Sequence, residues 1–302
     1  MNQDRVIGVI VTYFPSVEPL GELLSSLKSQ VHSVVVIDNG SSEDFKGWLS
    51  DRENPHVHGI FLGENRGIAA AQNIGIRWTI DHGANYVLLS DQDSGPASDM
   101  VARLLDAARQ VAANGHKVAA VGPRYMDARQ QASPPFIQIR GLRICRQTCG
   151  DAFSIVPVDF LIASGSLIPT VTLVEVGLMQ ESLFIDYVEF GWGARAKKHG
   201  FDMFGVCAAK MRHDLGDEPI RLVGWAFPVR SPHRHYYTFR NAVWLYIHSA
   251  FPLNWKLADG LRLLLKYVFY ATFARPRLAH VRMMTLGIWH GLNGRLGRLD
   301  AK

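Results

Sequence analysis

Apolar and polar positions along the first half of the chain fall into short blocks of two kinds. "RVIGVIVTY" (5–13), "SVVVIDNGSS" (33–42), "VHGIFLG" (57–63), "YVLLSDQDS" (86–94) and "KVAAVGP" (117–123) are β-branched or apolar runs that stop at turn residues, which predicts buried strands. Between them, "PLGELLSSLKSQ" (19–30) sets Leu20, Leu23, Leu24 and Leu27 at helical spacing. "GIAAAQNIGIRWTIDHG" (67–83) and "SDMVARLLDAARQVAANG" (98–115) also predict helices, the second ended by Gly115. Strands that alternate with helices make an α/β fold, a mostly parallel sheet covered on both faces.

In such sheets ligands bind beyond the carboxyl ends of the strands. The polar clusters lie at those ends: Thr12 and Tyr13, Asp38 to Ser41, Glu64 to Arg66, and Asp91 to Ser94. The second half is less regular. A Pro-rich loop (132–141) precedes "PVDFLIASGSLIP" (157–169), and "LMQESLFIDYVEFGWGARAKKHGF" (178–201) mixes aromatics with carboxylates. "MRHDLGD" (211–217) then brings in a histidine, and helical, basic segments run to the end.

At 302 residues and 48% hydrophobic content, the chain can bury a large core. Its start lacks the basic region and cleavage site of a leader. The three cysteines (Cys145, Cys149, Cys207) form no disulfide framework or zinc spacing, which predicts free thiols and an intracellular protein. Residues 252–302 hold nine Lys/Arg against Asp259 and Asp300, a net +7, so the first 251 residues stand at −2 of the chain's +5. Such a basic end suits nucleic acid or anionic lipid.

Asp91-Gln92-Asp93 fits two descriptions. Asp, Ser, Gly and Pro are turn residues, yet carboxylates after a buried strand are costly unless paired or bound to a cation. Residues two apart on an extended chain share a side, and two carboxylates there suit Mg²⁺ or Mn²⁺ holding substrate phosphates. No Gly-rich phosphate loop appears elsewhere.

The ordered set "VTYFP", "VIDNGS", "GENRGIAAAQNIGI", "LLSDQDS", "ASGSLIP", "FIDYVEFGWGARAKKHGF", "MRHDLGD" and "HRHYYTFRN" resembles the bacterial rhamnosyltransferases of glycosyltransferase family 2 over roughly residues 5–245. The resemblance implies a GT-A fold, a nucleotide-sugar donor, a divalent metal and inversion at the sugar carbon. By position, it puts Thr12 and Tyr13 at base and ribose and Asp38 at the pyrimidine. It puts Asn65 and Arg66 in the loop lining the nucleotide pocket. Asp93 then becomes the direct metal ligand, Asp91 lies near the ribose or a metal-bound water, and His213 completes the metal shell. Plainer roles compete, a turn for Asp38 and an ordinary surface histidine for His213.

An inverting transfer needs a general base. Asp186 and Glu189 are neighbours on one face if their segment is helical, and paired carboxylates raise one pKa. The competing description is a solvated helix face. The family's usual form resembles Phe-Ile-Asp-x-Val-Asp-x-Glu-Trp-x-x-Arg. Anchored on Trp192 and Arg195, its central Asp falls on Glu189 and its later Glu on Gly191. Glu189 is therefore expected as base, with Asp186 second. Gly191 keeps open a binding protein with little catalysis, and Gly191 and Gly193 weaken a regular helix.

In "SPHRHYYTFRNAVWLY" (231–246) the family's Arg-x-Tyr-Tyr-x-x-Arg-Asn pattern would bring Arg234, Tyr237 and Arg240 to the donor phosphates. Basic and aromatic residues interleaved this way also occur in single-strand binders, but the family order argues against nucleic acid. "NWKLADGLRLLLKYVFYATFARPR" (254–277) has Lys256, Asp259, Arg262 and Lys266 on one side of a wheel and Leu, Val, Phe and Tyr on the other. It is too short and too charged to span a bilayer. It fits an interfacial membrane helix or a packing or dimer helix.

The expected organisation is a GT-A domain over 1–245, with a nucleotide-binding half of about 1–125 and an acceptor half of about 126–245, and a basic helical extension over 246–302. The expected activity is metal-dependent transfer of L-rhamnose from dTDP-β-L-rhamnose to a polyprenyl-linked glycan at the inner face of the plasma membrane. The alternative donor is a UDP-hexose.

Overall fold

The structure, a computed structural model, describes residues 4–126, 133–140, 143–213, 219–222, 225–228, 230–249 and 251–299. The first half is β1 (Val6–Thr12), α1 (Val17–Lys28), β2 (Ser33–Asp38), α2 (Glu43–Ser50), β3 (Val57–Phe61), α3 (Ile68–Asp81), β4 (Tyr86–Asp91), β5 (Ser94–Pro96), α4 (Met100–Ala113) and β6 (Val118–Met126). Of these, β1, β2, β3, β4, β6, α1, α3 and α4 lie within a few residues of the predicted blocks, because the strands are mainly apolar runs and the helices carry buried apolar residues; α2 and β5 fall where the sequence pattern predicts no element. Then come β7 (Phe136–Arg140), β8 (Arg143–Gln147), β9 (Ile155–Val158), β10 (Leu167–Pro169), α5 (Thr170–Val176), α6 (Val188–Lys198), β11 (Asp202–His213), β12 (Pro219–Leu222) and β13 (Trp225–Pro228). Three helices close the chain: α7 (Pro232–His248), α8 (Leu253–Phe273) and α9 (Arg277–Leu292).

Among the described residues, nine strands form one sheet in the order β3-β2-β1-β4-β10-β6-β11-β5, with β9 also on β11. β1, β2, β3 and β4 run parallel, as do β6 and β11, while β10 is inserted antiparallel between β4 and β6. Register sets Thr12 beside Asp38 and Val11 beside Asp91, so three polar strand ends meet on one rim. One apolar cluster lies under α1 and α4, and a second lies under α3, α5 and α6 on the other face.

The C-terminal helices build their own core around Phe239, Leu263, Phe269, Tyr270 and Met284. α9 lies directly against α7, because a Cβ on Gly287 would meet the Tyr236 carbonyl oxygen at 2.4 Å and one on Gly291 the Arg240 carbonyl at 2.6 Å. α7 runs unbroken through residue 245.

Two expectations are corrected. Cys149 and Cys207 are joined in a disulfide across 58 residues of sequence, and Cys145 alone is free. Spacing along the chain carries no information on pairing between strands that only the fold brings together. In α8 the sidedness also differs from a simple charged-versus-apolar wheel. Trp255, Leu263 and Tyr270 face inward with Asp259, while Leu253, Leu257, Leu261, Leu264, Leu265 and Val268 are exposed. No described helix is long and apolar enough to cross a membrane.

Candidate active site

The rim is built by the ends of β1, β2 and β4. Thr12 is fully buried and its hydroxyl donates to Asp38 at 3.3 Å; the other Asp38 oxygen accepts from the Ser41 amide at 3.1 Å. Asp38 thus sits where the β-branched strand ends, and its carboxylate ties that end to the next turn. Tyr13 and Phe14 project outward as an edge-to-face pair, anchored through backbone amides donating to Gln92 and Ser41. Phe14, at φ 45°, is a rim aromatic the sequence did not single out.

Asn65 and Arg66 lie beside this edge. Asn39 donates to the Asn65 side-chain Oδ1 at 3.1 Å and accepts from the Arg66 amide at 2.8 Å, while the same Asn65 Oδ1 also accepts from Gly67 N–H at 2.9 Å. Gly67 has φ +85°, and a Cβ there would run into Phe184 at 2.5 Å. That close approach joins the loop before α3 to the segment carrying the carboxylates.

Asp91 closes β4, and its amide donates to Ser164 at 3.2 Å. Asp93 lies on the exposed turn between β4 and β5. Gln92, between them, holds the Tyr13 backbone. The two aspartates therefore sit one at a strand end and one on a turn, and strand alternation does not govern them. His213 ends β11 opposite Ser94 in register, but its side chain lies outside the described structure. Among the described residues no group of three or more His, Cys, Asp or Glu side chains is gathered for a metal ion.

Asp186 and Glu189 flank the start of α6, a regular helix despite its two glycines. A Cβ on Gly191 would make ordinary contacts with Leu245 and Leu183. Trp192 and Arg195 anchor α6 by donating to the Gly177 carbonyl, and Arg195 also reaches that of Leu178. Asp186 accepts from Arg230 at 2.8 Å, from Arg234 at 3.1 Å and from the Thr238 hydroxyl at 2.8 Å. Burial alone would raise its pKa, but the two guanidiniums and these hydrogen bonds outweigh that and hold it below the usual value. Glu189 is pushed up to about 7, chiefly by burial, with Asp91 and Asp186 adding to the rise; its own backbone amide and Arg234 oppose it. It keeps a partly exposed surface.

The chain enters α6 through an unusual backbone. Phe184, Asp186 and Tyr187 all have φ between 63° and 66°, a region that costs about 1–3 kcal/mol per non-glycine residue. α7 holds this segment. The Asn241 amide nitrogen reaches the carbonyls of Leu183, Ile185 and Asp186 at 2.7–2.9 Å. Tyr237 stacks on Phe184, and its hydroxyl accepts from the Leu299 amide.

Arg240, expected at the donor phosphates, is instead 0% exposed; it donates to the Leu183 and Gly297 carbonyls and to Asn241. Tyr237 and Arg240 thus lie under the site as its support, whereas Arg234 faces the carboxylates. Sequence reasoning missed Arg230 and Thr238, and it placed Asn241 in the family's pattern without giving it a role. The polar residues Arg234, Thr238 and Asn241, at i, i+4 and i+7 on α7, were the signal, since that spacing makes one inward face.

Residues 8–154 match the family described as "Glycosyl transferase family 2". The dTDP-rhamnosyl transferase RfbF of Shigella flexneri is 31% identical over 299 residues, covering 98% of both chains. The low-salt glycan biosynthesis hexosyltransferase Agl10 of Haloferax volcanii is 22% identical over 97% of this chain and 92% of its own. The fold is shared with S. aureus TarS 1-349 (TM-score 0.58, 15% identity, 96% of this chain and 82% of that one). It is also shared with GalNAc-T7 solved with UDP, GalNAc and Mn²⁺ (TM-score 0.63, 14% identity, 97% of this chain and 56% of that one). The arrangement is GT-A-like, as expected from the sequence. The family match and the end-to-end alignment together make this chain a member of glycosyltransferase family 2.

Proposed function

We propose that this enzyme transfers L-rhamnose from dTDP-β-L-rhamnose to a hydroxyl of a lipid-linked bacterial surface glycan, with inversion at the anomeric carbon. The observation that carries the chemistry is Glu189, a residue of intermediate exposure whose carboxyl has its pKa raised to about 7, chiefly by burial, with Asp91 at the rim adding to the rise. A base poised there takes the acceptor proton at near-neutral pH. Asp186, locked as an anion by Arg230 and Arg234, is the poorer base and orients Arg234 towards the site.

The donor is read along the rim. Tyr13 and Phe14 offer an aromatic edge to the base, and the Thr12–Asp38 pair and the Asn65–Arg66 loop flank it. Asp91 and Asp93 are hard oxygen donors that would hold Mg²⁺ or Mn²⁺. The ion would supply charge to the leaving diphosphate. The sugar is supported by the end-to-end likeness to the Shigella flexneri dTDP-rhamnosyl transferase. The outward leucines of α8 and its basic neighbours support work at the cytoplasmic surface of a membrane.

The test is release of dTDP from dTDP-L-rhamnose with a short rhamnose-containing lipid acceptor, with and without Mg²⁺ or Mn²⁺, against a panel of UDP-sugars. Metal-dependent release that is lost in Asp93→Ala and Glu189→Gln supports the reading. Release from a UDP-hexose alone replaces the donor. Nucleotide binding without release from any donor supports a binding protein.

A further inference from the structure

The strained entry to α6 is held from two sides. One is α7, through Asn241 and the Asp186 partners described above. The other is α8, through the carboxylate of Asp259. One oxygen of Asp259 accepts from the Tyr187 hydroxyl at 2.9 Å and from the Tyr246 hydroxyl at 2.7 Å. Among the described residues of 251–299, Asp259 is the one acidic side chain in an otherwise basic stretch, and it is turned inward.

Tyr187 is the residue on which α6 begins. It has φ 63° and ψ 7°, and its carbonyl accepts from the Gly191 amide at 2.9 Å, the bond that closes the first turn. Glu189 stands two residues further on. A rotation of the Tyr187 peptide would therefore swing the first turn of α6 and with it the Glu189 carboxyl. The phenol–carboxylate bond is charge-assisted and partly buried, which makes it stronger than a neutral pair.

We infer that Asp259 is a positioning residue for Glu189, acting through the Tyr187 hydroxyl and so making α8 part of the catalytic machinery. The inference rests on Glu189 as the base. It gives the basic extension a role in the reaction as well as on a surface: the helix that turns its leucines outward at Leu257 and Leu261 holds the catalytic turn from its inner face at Asp259.

The experiment compares Asp259→Ala, Tyr187→Phe, their double variant and Tyr246→Phe in the full chain. Sugar transfer and amide hydrogen exchange over residues 184–190 are both measured. Tyr187→Phe and Asp259→Ala should each lower kcat by about tenfold with donor KM unchanged, the cost of a misplaced reacting group. The double variant should be no worse than Asp259→Ala, and exchange over 184–190 should rise in all three. Tyr246→Phe removes the other bond to the same oxygen and should stay within about twofold of wild type in kcat. Equal losses in Tyr246→Phe and Tyr187→Phe, or unchanged exchange over 184–190 in Tyr187→Phe, overturn the inference. If the wild type turns over no donor, the reading of function fails, and the exchange data still decide whether the tether holds the turn.

Discussion

Asp186 and Glu189 stand three residues apart at the entry to α6 and are driven in opposite directions. Arg230, Arg234 and Thr238 hold Asp186 as an anion against its burial. Burial and the neighbouring carboxylates lift Glu189 to about 7. Two carboxyls three residues apart are thereby set apart, one held as a fixed charge and the other titrating near neutrality, as the proposed base requires.

The pH profile follows from that separation. A base must be deprotonated, so kcat/KM should fall about tenfold per pH unit below 7 and level off above it. Glu189→Gln should lower kcat by about a hundredfold or more and abolish this limb. Asp186→Asn removes a charge that raises Glu189 and leaves Arg234 unopposed, so the limb should move to lower pH. A limb fixed near 7 in Asp186→Asn, measured under saturating metal, would count against the coupling.

Much of this was legible in the chain, for a definite reason. The rim residues Thr12, Asp38 and Asp91 are polar residues at the ends of mainly apolar strands, and parallel register then brings those ends together. The roles on α7 were not legible. Arg240 looks like a phosphate-gripping arginine in sequence. Only the packing of α9 through Gly287 and Gly291, and the return of residue 297 to its guanidinium, make it a buried support. Asp259 is similarly hidden, since its partners Tyr187 and Tyr246 lie 72 and 13 residues away.

Asn241 should be the most sensitive position of the support. Its amide nitrogen serves three carbonyls of a segment with three positive-φ residues. Asn241→Ala leaves those buried acceptors without their donor, a loss of about 1–3 kcal/mol. Activity should fall further than stability does, because the freed segment carries Asp186 and leads to Glu189. Denaturant unfolding beside kcat for the same protein would separate the two. A variant with full kcat would deny the segment its importance.

Acid should weaken the helical end first. His235 and His280 are both buried, with their Nδ1 atoms 2.9 Å apart, and His235 is pushed down to about 4 by burial, with His280 and Arg230 adding. Between its ordinary 6.5 and about 4 the unfolded chain takes up a proton that the folded chain refuses. Stability is therefore full above 6.5 and drains away below it, by up to about 1.4 kcal/mol per pH unit. Thermal unfolding at pH 7.5, 6.0 and 5.0 should show this decline, and His235→Phe should flatten it. Equal declines in both proteins would assign the acid sensitivity elsewhere.

The outer face of α8 makes the last prediction. Leu253, Leu257, Leu261, Leu264, Leu265 and Val268 are all more than half exposed, and Arg262, Arg275, Arg277 and Arg282 lie on the same hairpin with their charges in water. Leucines alone would serve a dimer as well as a bilayer. The basic residues separate the two, since a second copy would set like charges against each other, whereas anionic headgroups attract each one by about 1 kcal/mol near the surface. Binding to vesicles containing phosphatidylglycerol should therefore be strong at low salt, weaken as salt rises, and drop at least about tenfold in Leu261→Glu/Leu265→Glu. A wild type that is dimeric in solution, becomes monomeric in that double variant and ignores vesicles would assign the leucines to a subunit interface instead.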